Sequence, residues 1–253
     1  MRLVSVLVLM GLLSMSRVVG AGELRIAAAS DLNFAFKELI AAYEQQTGGH
    51  VALTLGSSGN FYAQIVNGAP FDLYFSADIG YPKKLEEAGL TVPGTLIRYA
   101  VGRLVIWTPH GSPLDPSTGL TVLRDSRIKK IAVANPKHAP YGRAAVAAME
   151  SAGILDGVRD KLVFGENISQ AAQFVESGAA DIGIIALSLA LAPAMQSKGR
   201  YWLIPAESHP ALEQGAVLLN RSVQPSDARR FVDLLQSPLG RTVMTQYGFT
   251  LPR

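Results

Sequence analysis

Short β-branched runs alternate along the chain with Ala-rich segments in which apolar residues recur at helical spacing. That alternation predicts an α/β fold with mainly parallel sheets. Leu24 to Ala28 reads as a first strand. Asp31 to Gln46 reads as a helix with Leu32, Phe36, Leu39, Ile40 and Tyr43 on one face, stopped by Gly48-Gly49. Strands are expected at Val51 to Leu55 and Asp72 to Phe75, and helices at Phe61 to Val66 and Lys83 to Ala88. Arg103 to Trp107 reads as a strand leaving this first unit. The scheme then recurs. Strands are expected at Ile131 to Ala134, Lys161 to Phe164, Asp181 to Ala186 and Val217 to Leu219. Helices are expected at Gly142 to Ser151, Ser169 to Glu176, Ser226 to Leu235 and Leu239 to Tyr247. No repeat, low-complexity tract or long linker separates the two units, so both are expected in one compact body.

The first 21 residues stand outside this pattern. Arg2 gives a positive start, Leu3 to Met15 an apolar run, and Val19-Gly20-Ala21 a small-residue cleavage site, the layout of a secretory signal cut after Ala21. Arg17 interrupts the apolar run before it reaches the roughly 20 residues of a membrane span. No later segment is long and apolar enough for one. With Arg2 and Arg17 removed, the formal charge of +3 falls to +1, and no Lys/Arg-rich run of the kind nucleic acid needs is present. The remaining 232 of 253 residues suffice for one large domain or two smaller ones. There is no cysteine, hence no disulfide and no thiolate metal site. His50, His110, His138 and His209 show no metal spacing. No cofactor and no free metal-ion site are expected.

Chemistry concentrates where strands hand over to helices. Ala29-Ser30-Asp31 follows the first strand, Gly56-Ser57-Ser58-Gly59-Asn60 the second, and Ala139-Pro140-Tyr141-Gly142 lies beyond the strand ending at Ala134. Glu166-Asn167-Ile168-Ser169 opens a further helix. Each junction ends at a helix N-terminus, whose first N–H groups lack intrahelical partners and whose dipole attracts anions. In open α/β sheets ligands settle beyond the carboxyl ends of strands, where these junctions fall. Taken singly, each is an ordinary N-cap or turn. Their occurrence together in both halves points to an anion held by neutral donors, with hydroxyls added by Ser30 and Ser58.

The segments Ala28-Ala29-Ser30-Asp31-Leu32, GSSGNFYAQI (56–65), GAPFDLYFSAD (68–78), ANPKHAPYGRAA (134–145), GENISQAAQFVESG (165–178) and QYGF (246–249) keep one order and spacing over the mature chain. In these the sequence resembles the periplasmic molybdate-binding proteins of bacterial ABC transporters. The resemblance implies a two-lobed periplasmic binding protein fold of type II with two hinge crossings, lobe I from 22–105 plus 217–253 and lobe II from 106–216. It implies a periplasmic protein, expected as a monomer, that captures molybdate or tungstate by lobe closure, without catalysis, for an ABC-transporter permease. The implied oxyanion ligands are Ser30 and Ser58, through hydroxyl and amide, and the amides of Tyr141 and Ile168. Asp31 and Asn60 lie beside the anion. These residues are also the whole of the metal contact, made through the oxyanion's oxygens.

Two positions depart from the family pattern. The stretch Gly183-Ile184-Ile185-Ala186-Leu187-Ser188 lacks the tyrosine whose hydroxyl many members direct at the anion, so either Tyr141 or a water takes that place or affinity and selectivity differ from the family norm. Asp31 replaces an uncharged residue. It is either a carboxylate favoured at a helix start or a side chain turned into the cleft. In the cleft it would favour an oxyanion that keeps a proton, such as phosphate or a phosphonate, over molybdate or sulfate. Three further readings stay open: a clamp for another small anion such as sulfate, phosphate, a phosphonate or a small carboxylate; an exported hydrolase with a serine nucleophile at Ser30 or Ser58, for which no acid–histidine pair is placed; and a sensory ligand domain, against which the leader weighs.

Overall fold

The computed structural model describes residues 22–252, so the expected leader at 1–21 lies outside the described residues. The strands are β1 Leu24–Ala29, β2 Val51–Gly56, β3 Leu73–Ser76, β4 Ile97–Gly102, β5 Leu104–Pro109, β6 Ile131–Ala134, β7 Leu162–Gly165, β8 Ile182–Ala186, β9 Gly199–Leu203 and β10 Leu212–Leu218. The α-helices are α1 Asn33–Thr47, α2 Ser58–Val66, α3 Gly80–Glu87, α4 Pro140–Ser151, α5 Leu155–Val158, α6 Ile168–Glu176, α7 Leu187–Ala190, α8 Pro193–Gln196, α9 Pro225–Gln236 and α10 Pro238–Gln246.

These strands build two five-stranded sheets, ordered β2-β1-β3-β10-β4 and β7-β6-β8-β5-β9. In the first, β1 pairs parallel with β2 and β3, and only β10 runs against its neighbours. In the second, β6 pairs parallel with β7 and β8, and only β5 runs against its neighbours. The two reversed strands are the ones by which the chain enters each sheet from the other. This is the two-lobed periplasmic binding protein fold, each lobe a mixed sheet flanked by helices.

The crossings fall a few residues from the expected boundaries. Arg103 alone joins β4 to β5, which places 104–105 in the second sheet, and the chain returns through 204–211, which places 212–216 in the first. At the first crossing only Gly102 and Arg103 separate the apolar residues of β4 from those of β5, with no loop between the strands. At the second, Glu213-Gln214-Gly215 breaks the apolar pattern at a bulge between Gln214 and Gly215. Strands β4 and β9, unforeseen in the sequence, take the sheet edges, where β9 leaves Arg200, Tyr201 and Leu203 exposed and so carries no burial pattern to read.

Packing explains why the junctions meet. Central strands β6 and β8 are buried on both faces, as their unbroken apolar runs require, and β1 from Ile26 and β3 through Phe75 are buried likewise. Helix α1 buries Phe36, Leu39 and Tyr43. Phe36 meets Phe75 edge-on, with centroids 4.9 Å apart, and meets Phe231 of α9 at 5.6 Å, fixing the C-terminal helices onto lobe I. Gly48 ends α1 at φ 67°, in the left-handed conformation a glycine adopts without cost. A 3-10 turn over Ser30–Leu32 separates β1 from α1, so the expected helix starts at Asn33 and Ser30 and Asp31 stay at the strand's end. The core of lobe II, with Trp107, Ile131, Ile184 and Met149, is continuous with Ala29, Ala77 and Leu212 of lobe I.

Candidate ligand-binding site

The four strand–helix junctions converge on the contact between the lobes, and each junction of lobe I bonds to both junctions of lobe II. Ser30 Oγ donates to Asn167 Oδ1 (3.1 Å) and accepts the Ser169 N–H (3.2 Å), while Ser169 Oγ donates to the Ser30 carbonyl (2.9 Å). Tyr141 Oη donates to Asp31 Oδ2 (2.9 Å). The Gly59 N–H donates to the His138 carbonyl (2.9 Å), and Ser57 Oγ lies 2.8 Å from His138 Nδ1. Asn60 Nδ2 donates to Glu166 Oε1. These bonds hold the four turns together, and Ser30, Ser57, Ser58, Tyr141 and Ile168 at them are buried.

Ser30, Asp31, Ser58, Tyr141 and Ile168 are all buried, Ser58 completely. Helix α2 begins at Ser58, capped by the Ser57 side chain, and α6 begins at Ile168, capped by Asn167. Pro140 opens α4, with Tyr141 next. Among the described residues, the amides of Ser58, Tyr141 and Ile168 make no hydrogen bond within the protein. Ser58 Oγ accepts the Ala77 N–H (2.9 Å), which leaves its own proton to donate. Two lobes thus present three unpaired N–H groups and a hydroxyl, a donor set for an anion.

Several expected details come out differently. The Ser30 hydroxyl is spent on Asn167 and Ser169, so its proton is turned across the cleft. Asn60 reaches Glu166 at the exposed rim instead of lying in the enclosure. The Tyr141 hydroxyl does not stand in for the missing tyrosine, because its proton goes to Asp31. In the stretch after β8, Ser188 Oγ donates instead to the Asp31 carbonyl (2.7 Å).

The Asp31 carboxylate is buried where the two lobes meet. Its Oδ2 accepts from Gln214 Nε2 (2.6 Å) as well as from Tyr141, while Oδ1 is buried with no partner among the described residues. Burial pushes this carboxyl up to about 6, and the bonds from Gln214 and Tyr141 hold it down only in part. Burial also raises the Tyr141 phenol, and the Asp31 charge adds to that.

Residues 24–250 match the family described as bacterial extracellular solute-binding protein. The chain belongs to that family. It is 37% identical over 231 residues to the molybdate-binding protein ModA of Azotobacter vinelandii, covering 91% of each chain. It is 36% identical over 229 residues to ModA of Rhodobacter capsulatus, covering 90% of this chain and 88% of that one. The solved structure of the Azotobacter vinelandii periplasmic molybdate-binding protein superposes with a TM-score of 0.86 at 33% identity, covering 91% of this chain and all of that one.

The contacts the sequence did not announce are those that join the lobes. Ser57, His138 and Glu166 form a line, with His138 Nε2 3.7 Å from Glu166 Oε2, which resembles a nucleophile–base–acid arrangement. Ser57 is instead the buried cap of α2 and also donates to the His138 carbonyl (3.2 Å), so the line fastens one lobe to the other. At the rim Arg143 Nη2 pairs with Asp78 Oδ2 (2.6 Å), half-exposed on both sides and so worth little. Replacing His138 by alanine is expected to weaken ligand binding about fivefold, the worth of roughly one neutral hydrogen bond, readable by calorimetry. Among the described residues no group of three or more His, Asp or Glu is placed to hold a metal ion.

Proposed function

We propose that this protein captures a tetrahedral oxyanion, molybdate or tungstate, in the periplasm and delivers it to the permease of an ABC transporter. The observation that carries the reading is the convergence of four junctions from two lobes on a buried place where the Ser58, Tyr141 and Ile168 amides and the Ser58 hydroxyl lack acceptors. Such donors meet a dianion's charge without lysine or arginine, and they assemble only when both lobes contribute. The protein is therefore a binding protein, not an enzyme, acting as a single chain that closes over its ligand. The similarity to the ModA proteins of Azotobacter vinelandii and Rhodobacter capsulatus supports molybdate as the oxyanion.

One observation favours a second ligand class. The unpartnered Asp31 Oδ1 would accept a hydrogen bond from the hydroxyl of an oxyanion that keeps a proton, such as hydrogen phosphate. Thermal unfolding separates the two, since a ligand at 100 times its Kd stabilises the folded state by about 2.7 kcal/mol. Molybdate and tungstate are expected to raise the Tm by several degrees with sulfate and phosphate silent. A shift from phosphate alone would replace the first reading by the second.

A further inference from the structure

The Tyr141 side chain leaves lobe II and ends in a buried polar socket of lobe I. Its hydroxyl donates to Asp31 Oδ2 (2.9 Å) and accepts from Gln214 Nε2 (3.2 Å). Gln214 Nε2 also donates to Asp31 (2.6 Å), and Gln214 Oε1 accepts from Tyr99 Oη (2.7 Å). All four side chains are at most 5% exposed. The wall of the socket is Gly102, where a Cβ would overlap the Tyr141 hydroxyl oxygen and lie 2.8 Å from Gln214 Nε2. Gly102 has no positive φ, so its lack of a side chain serves the space and not the backbone.

The socket stands at the hinge. Gly102 is the last residue of β4 before the crossing at Arg103, and Gln214 lies near the start of β10, where the chain returns. Gly102 pairs with Leu212 and Ala100 with Gln214 across these two strands. Tyr141 is also the second residue of α4, and its amide is one of the unpaired donors. One residue therefore carries the lobe contact at its side chain and an anion donor at its backbone.

We propose that Tyr141 is a positioning residue whose hydroxyl, seated in the socket of Asp31, Gln214, Tyr99 and Gly102, latches the closed form and holds the N-terminus of α4 over the ligand. The ligand's part in this rests on the oxyanion reading; the latch itself does not. When the lobes separate, water takes over the bonds of the three lobe I side chains and of Tyr141. When they close, the socket excludes water and only a phenol of this length completes it. A latch formed after encounter acts on release, not on capture.

Two variants separate this role from a structural one. Tyr141→Phe removes the hydroxyl alone, and Gly102→Ala fills the socket in a backbone conformation that alanine adopts freely. The chain has no cysteine, so Glu87→Cys and Lys129→Cys, exposed on lobes I and II, carry a dye pair that reports lobe separation. In stopped flow with molybdate, Tyr141→Phe is expected to release the anion about tenfold faster with capture changed less than twofold. Gly102→Ala is expected to lose affinity at least tenfold with its Tm kept within a few degrees. The double variant is expected to be no worse than Gly102→Ala alone, since both break one contact. Unchanged release and an unchanged closed distance in Tyr141→Phe overturn the latch. Should the unaltered protein bind no molybdate, the oxyanion reading fails separately. The ligand-free distance distribution then decides: a smaller closed fraction in Tyr141→Phe supports the latch and an identical one overturns it.

Discussion

Replacing Asp31 by asparagine is expected to tighten oxyanion binding at pH 8 by up to about 100-fold, while at pH 5.5 the two proteins stay within a few-fold of each other. Burial holds the Asp31 carboxyl at about 6, so at pH 8 it is ionised in the enclosed site. A fully deprotonated oxyanion beside it forces a proton onto the carboxyl, at about 1.4 kcal/mol for each pH unit above its pKa. That proton belongs on Oδ1, because Oδ2 already accepts from Tyr141 and Gln214. Asparagine keeps an oxygen for those two donors and places an NH2 where Oδ1 stood, a permanent donor with no proton to acquire. The measurement is the Kd of both proteins from pH 5.5 to 8, with calorimetry in two buffers of different ionisation enthalpy to count the proton. Parallel pH profiles, with no proton taken up, would remove Asp31 from the site.

The same carboxyl bears on stability, in a direction fixed by its shift. The unfolded chain holds this proton with a pKa of 3.8 and the folded protein with one of about 6, so the folded state binds more protons between these values. Its contribution is fully present below pH 3.8 and is lost as the pH rises through 6, about 3 kcal/mol in all. Asparagine at 31 removes that slope.

Ser58→Ala carries the second large effect. It deletes the one hydroxyl in the enclosure whose proton is uncommitted, and a hydrogen bond to a charged ligand is worth about 1.5–3 kcal/mol, or roughly 10- to 150-fold in Kd. It also strands the buried Ala77 N–H, which Ser58 Oγ now accepts, so the variant is expected to lose about 1–3 kcal/mol of stability as well. Ser58→Thr separates the two, because it keeps the hydroxyl and is expected to recover most of the affinity. An affinity in Ser58→Ala equal to that of the unaltered protein would place the anion elsewhere.

The fold was legible where burial leaves a pattern. Strands β6 and β8 are covered on both faces and read as unbroken apolar runs, β1 does so from Ile26 on, and α1 shows its buried stripe of Phe36, Leu39 and Tyr43. Edge strands β4 and β9 face solvent along one side and mix Arg98 or Arg200 into their runs, so no alternation marks them. The crossing at Arg103 leaves little local signal, because two extended segments meet there with a single residue between them.

The candidate site was legible at the level of its backbone and not of its side chains. Small polar residues after a strand announce a helix N-terminus, and this local signal places Ser58, Tyr141 and Ile168. What the hydroxyls of Ser30 and Tyr141 bond to depends on residues 137 and 110 positions away. Gln214 lies 183 positions from Asp31, in a strand with no motif of its own. Contacts made only when two lobes meet leave no trace in local spacing.

On the oxyanion reading, three amides and a hydroxyl from two lobes hold a tetrahedral dianion. Calorimetric titration of residues 22–253, stripped of ligand, with molybdate, tungstate, sulfate and phosphate at one pH tests it most directly. Submicromolar, one-to-one binding of molybdate and tungstate with sulfate and phosphate silent is the predicted result. Silence from all four anions would contradict the oxyanion reading, because the unpaired buried donors would then serve a ligand of another kind.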